Sequence, residues 1–103
     1  LVGGTQKGIE KSFDEMNFES LFDALKRKNY PDVRNWVSQF GTQDIELVYS
    51  RLFQNAEKYI VNESLPLAIV QLADYQEKSA RAVDQQLNLT ACLIELMVEI
   101  SYK

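Results

Sequence analysis

The 103 residues include no histidine, a single cysteine, four glycines and two prolines. Without histidine, Ser-His-Asp and Cys-His catalysis and histidine-ligated metal chemistry are closed to the chain. One cysteine, Cys92, rules out an intramolecular disulfide and a zinc site of four thiolates. So little glycine and proline is poor punctuation for a turn-rich β architecture and points to an all-α domain. Positive charge is also scarce, since 11 Lys and Arg face 15 Asp and Glu for a formal charge of −4. Tight nucleic-acid binding by these residues alone is therefore not expected, because phosphate recognition needs clustered cations. The longest apolar stretch, Ala91 to Val98, is broken by Glu95 and is too short for a membrane span. The start lacks a basic-then-apolar signal pattern, so a cytoplasmic protein is expected. Leu1 in place of an initiator methionine suggests a piece of a longer or processed chain.

What is present suffices for one small core: 46% of the residues are hydrophobic. Residues 1–16 hold three of the four glycines without a sustained period and read as a linker or frayed arm. Gly3-Gly4-Thr5-Gln6-Lys7-Gly8 has the wrong order for a phosphate loop and no apolar strand before it. From residue 17 to 103 the pattern is helical, in about five segments. Phe18, Leu21, Phe22 and Leu25 form the stripe of a first helix capped by Asn17, with Lys26, Arg27 and Lys28 in its last turn. A second begins near Pro31, buries Val33, Trp36, Val37 and Phe40, and stops at Gly41. Thr42 is expected to cap a third, whose stripe runs Ile45, Val48, Tyr49, Leu52, Phe53 and Ala56. Tyr59-Ile60-Val61 is a packed connection or a helix end, since it is too short to nucleate a sheet with no partner strand in sight. Ser64 or Asn62 caps a fourth helix with Pro66 in its first turn and Ile69, Leu72, Ala73 and Gln76 on one face. The last helix, Leu87 through Ile100, is apolar around much of its circumference. That marks it as central in the domain or buried against other chains.

No set of side chains converges on a reaction. Cys92 sits among apolar neighbours and reads as a small buried hydrophobe. Trp36, Tyr49 and Tyr59 read as core anchors. Glu95 and Glu99 share a helix face without further ligands, which suggests a solvated or interfacial edge. The basic triplet complements a helix C-terminus. Asn62-Glu63-Ser64 and Asn88-Leu89-Thr90 match the glycosylation sequon only by chance.

The segment from Asp74 to Leu96, DYQEKSARAVDQQLNLTACLIEL, resembles the end of the small, ATP-hydrolysing subunits of sliding-clamp loaders. These are the replication factor C small subunits and, more closely, the T4-type phage loader subunit. The shared features are an aromatic on one helix (Tyr75), a small-residue break (Ala80 to Ala82) and an amide pair (Gln85 and Gln86). A Leu-rich terminal helix follows. Leu21 to Trp36 and Gln43 to Phe53 are similar to earlier helices of the same region, and Ala80 stands where relatives often carry glycine. The resemblance implies that residues 17–103 are the collar, an all-α oligomerisation domain that packs beside its copies in a five-subunit ring. It implies a parent AAA+ ATPase whose ATP and magnesium sites lie in a preceding part, so this fragment itself is expected to hold no cofactor, bind no nucleotide and catalyse nothing. Partners would be other loader subunits, with sliding clamp and primer–template DNA met only through the whole protein, and no membrane. Helices four and five are expected to carry the contacts through Tyr75, Gln86, Leu89, Leu93, Met97 and Ile100. The alternative is a free-standing helical adaptor that takes a partner helix beside Trp36 and Phe40.

Overall fold

The computed structural model describes residues 17–41 and 44–103. The expected arm over 1–16 and the expected cap Thr42 lie outside them. Among the described residues five α-helices follow one another: α1 Phe18–Lys26, α2 Tyr30–Phe40, α3 Ile45–Tyr59, α4 Leu65–Ser79 and α5 Gln85–Glu99, with a short 3-10 turn at Asn62–Ser64. The architecture is all-α, as the composition requires.

The α1 stripe behaves as its spacing predicts, and Phe18, Leu21, Phe22 and Leu25 are all buried together with Ala24. Its start differs from expectation. Asn17 adopts a left-handed conformation (φ 52°) and its side chain makes no cap. Asparagine tolerates that region, and the conformation turns the Asn17 carbonyl toward the Trp36 indole N–H, which donates to it at 3.2 Å. The end of α1 is a Schellman motif, with Asn29 N–H on the Ala24 carbonyl and Lys28 N–H on the Leu25 carbonyl. Its left-handed residue is Lys28, at φ 56°, where glycine is usual. The lysine has a reason to be there, because its ammonium donates to the Met97 carbonyl at 2.7 Å, in the last turn of α5. The basic triplet thus divides: Lys26 ends α1, Arg27 caps it, and Lys28 serves a different helix.

Asn29 caps α2 by accepting from the Asp32 N–H, and Val33, Trp36 and Val37 are buried beneath it. Gly41 closes α2 as expected, in right-handed backbone at φ −71°. Glycine is needed there for space, since a Cβ would lie 2.6 Å from the Val37 carbonyl oxygen. Asp44 caps α3 by accepting from the Glu46 N–H at 3.1 Å. Val48, Tyr49, Leu52 and Ala56 face the core, but Phe53 does not and is 53% exposed. Beyond α3 the expected packed connection gains a partner from the far end of the chain. Ile60 forms an isolated antiparallel bridge with Tyr102, and Val61 N–H and Lys103 N–H donate to the carbonyls of Ser101 and Tyr59. The Tyr59 ring stacks on Phe22 at 4.7 Å between centroids. Ser64, which precedes α4, makes no side-chain cap there; its hydroxyl instead accepts from the Ser101 N–H.

Two layers result. Helices α3, α4 and α5 pack in succession, while α1 and α2 pair and close over them, α2 on α5 and α1 on both α5 and α3. Because α4 lies between two neighbours, its buried set is Ala68, Gln71, Leu72, Tyr75 and Ser79. The expected face of Ile69, Ala73 and Gln76 is exposed, with only Leu72 buried.

Candidate functional site

The α4–α5 seam is polar and antiparallel. Gln71 Nε2 donates to Glu99 Oε1 at 2.5 Å, and the Tyr75 hydroxyl donates to Glu95 Oε2. Two turns earlier on α5, Asn88 Nδ2 donates to the Tyr49 hydroxyl and to the Tyr75 carbonyl, each at 3.0 Å. The two glutamates expected on an edge therefore stitch two helices together. Asn88, the acceptor of one sequon, is occupied within this network. Asp84, unremarked in the sequence reading, caps α5 by accepting from the Leu87 N–H at 3.0 Å.

These bonds fix which way each helix faces. At 100° per residue, Leu67 and Val70 lie on the solvent side of Gln71 along α4. Leu87, Ala91, Ile94 and Val98 lie on the solvent side of Glu95 and Glu99 along α5. The result is one outward face on two helices, on which Leu67 is 45%, Val70 64%, Leu87 67%, Ile94 37% and Val98 63% exposed. Carboxylates of Asp74, Glu95 and Glu99 run through its centre, and Lys78 pairs with Asp74 at 3.0 Å. Apolar surface of this extent on adjoining helices is characteristic of sites that meet another protein.

The residues anticipated for such contacts fall elsewhere. Leu89 and Leu93 are fully buried, Ile100 is 4% and Tyr75 8% exposed, so all four belong to the chain's own core. Gln86 and Met97 are half-buried. The helices anticipated for the contacts do carry the exposed stripe, but its members are the residues one helical face away. Trp36, in the adaptor alternative the edge of a groove, is 4% exposed and wedged between Phe18 and Phe40, with ring centroids 5.4 and 5.1 Å away.

Titratable groups in the interior are tuned to stay neutral. Burial, reinforced by the nearby Glu95 carboxylate, pushes the Cys92 thiol up to about 12. The hydrogen bond to Glu95, followed by burial, pushes the Tyr75 hydroxyl up to about 12. Burial raises Tyr49 and Tyr102 in the same direction. Cys92 is fully buried among apolar neighbours and serves as a packing group. On the opposite side of the molecule, Arg27 is shared between Asp23 at 2.9 Å and Asp32 at 3.2 Å. With Lys28 on the α5 carbonyl, two of the three cations of the triplet are already engaged. Among the described residues no group of three or more Cys, Asp or Glu is placed to hold a metal ion, and no helix is long and apolar enough to cross a membrane.

No protein-family model matches the chain, and no curated protein matches it.

Proposed function

We propose that this chain is the collar domain of a clamp-loader ATPase subunit, the scaffold that holds subunits side by side in the ring that loads a sliding clamp on primer–template DNA. The reading rests on the sequence resemblance from Asp74 to Leu96, and the observation that carries it is the outward face of α4 and α5. A monomeric helix has no use for Leu87, Ile94 and Val98 in water; a ring subunit does. The charge on that face favours a particular kind of assembly. Two copies meeting symmetrically would bring Glu95 and Glu99 against their own counterparts. A head-to-tail contact avoids this, and head-to-tail contacts are what close rings. In this reading the fragment carries no catalytic step. ATP, magnesium, clamp and DNA are handled by the preceding part of the protein, in the cytoplasm. The test is the coding sequence upstream of Leu1. A phosphate loop and an Asp-Glu magnesium box within the preceding couple of hundred codons is the expected result. A reading frame that opens just before Leu1 would contradict the proposal.

A further inference from the structure

A second apolar surface lies on the other side of α4, away from the face just described. Between α3 and α4 runs a groove of about 270 Å³, with Phe53 on one wall, Ile69 and Ala73 on the other, and Tyr49 and Leu72 beneath. Phe53 is 53% and Ile69 40% exposed, whereas the floor residues Tyr49 and Leu72 are 1% and 5% exposed. The floor is therefore fixed by the core, and only the walls are open.

On α3 the groove carries a carboxylate toward each end. Glu46 and Glu57 fall within 40° of Phe53 around the α3 axis, one toward each end, and both are exposed. On that axis Arg51 and Lys58 point well away from the groove, about 160° and 140° from Phe53. Lys103 approaches this region, but its ammonium donates to the Glu57 carbonyl oxygen at 3.0 Å, which leaves the carboxylate open.

We propose that this groove docks an amphipathic helical segment of another protein, with apolar residues at its centre and a Lys or Arg at each end. Eleven residues separate Glu46 from Glu57, a span of about 16 Å at the helical rise, so the two cations should be about three turns apart. Helix-in-groove docking of this kind uses two or three apolar anchors at i, i+3 and i+4 spacing. A second copy of this chain is a poor occupant. Its exposed apolar helices α4 and α5 carry Asp74, Glu95 and Glu99 and would meet Glu46 and Glu57 as like charges. Its α1, which does carry cations, has its apolar residues buried. The proposal stands apart from the collar reading, because it uses neither Val70 nor any exposed residue of α5.

The test uses the full 103-residue chain and two labelled helical peptides with the same leucine anchors, one ending in lysines and one in glutamates, followed by fluorescence anisotropy. The lysine peptide should bind at least about tenfold tighter at low salt, and the gap should close as salt is raised. Phe53→Asp should weaken the lysine peptide about tenfold or more with an unchanged thermal melt, since Phe53 is half in solvent. If Phe53→Asp alters the melt, the Glu46→Gln, Glu57→Gln pair is the readout, and it should abolish the preference between peptides. Equal binding of both peptides, or unchanged binding by these variants, overturns the proposal. So does self-association of the wild type that Phe53→Asp removes, which would make the groove a contact between copies. Loss of assembly in an Ile94→Glu variant would leave peptide binding intact, so this proposal and the collar reading fail separately.

Discussion

The α1–α2 layer and the α4–α5 pair divide the apolar residues differently. In α1 and α2 the apolar side chains are one-sided, and among the described residues the one large hydrophobic these helices leave well exposed is Tyr30 at 44%. Along α4 and α5 the inner side is as well filled, by Ala68, Leu72, Leu89, Cys92, Leu93 and Leu96, yet Leu67, Ile69, Val70, Leu87, Ile94 and Val98 remain outside. The first layer contains what is needed to close a core. The second contains that and a surplus. Stability and association should therefore separate cleanly, with inner residues governing the first and outer residues the second.

The largest effect should come from the inner side. Leu89→Ala leaves a cavity where the side chain is fully buried, and should cost about 2–5 kcal/mol in denaturant unfolding. Next is the alkaline limb. Cys92 and Tyr75 hold their protons to about 12, and Tyr49 and Tyr102 are shifted the same way, while the unfolded chain releases these protons from about pH 9 upward. Their contribution is fully present below that pH and is lost as pH rises toward the folded-state values. The urea midpoint should fall steadily between pH 9 and 11, and a flat profile would show these groups to be exposed. Tyr75→Phe, which removes the hydroxyl bond to Glu95 at the rim of the seam, should cost about 0.5–1.5 kcal/mol and flatten part of that alkaline fall. Lys28→Ala should cost about 1 kcal/mol through the lost bond to Met97. Lys28→Gly should be milder, because relief of the left-handed backbone offsets the same loss. Smallest of all, Ile94→Glu should change stability by about 0.5 kcal/mol or less, being a surface change away from any core feature.

The contrast also explains what could be read in the sequence. Phe18, Leu21, Phe22 and Leu25 are apolar against polar neighbours, so their spacing names the buried face and the structure agrees. In α4 the run Leu65, Leu67, Ala68, Ile69, Val70, Leu72 and Ala73 is apolar on every side, so the face expected from Ile69, Ala73 and Gln76 is not the buried one. The polar Gln71 was not a candidate for the core, yet it is 7% exposed and bonded to Glu99. In α5 the same lack of contrast leaves Leu89 and Leu93, expected at contacts between copies, undistinguished from Leu87 and Val98, and the chain's own core buries the first pair. The bridge from Ile60 to Tyr102 joins segments that say nothing of each other locally. Lys28 in a left-handed turn obeys a need set by α5, a helix far along the chain. The bridge and Lys28 share one cause: neighbours in space that are distant in sequence.

The central claim is that the outer side of α4 and α5 is an assembly face, and analytical ultracentrifugation of the chain tests it most directly. The wild type should sediment as species larger than a monomer, growing with concentration, and Ile94→Glu with Val98→Glu should return it to a monomer with an unchanged melt. A wild type that stays monomeric at millimolar concentration would contradict the claim.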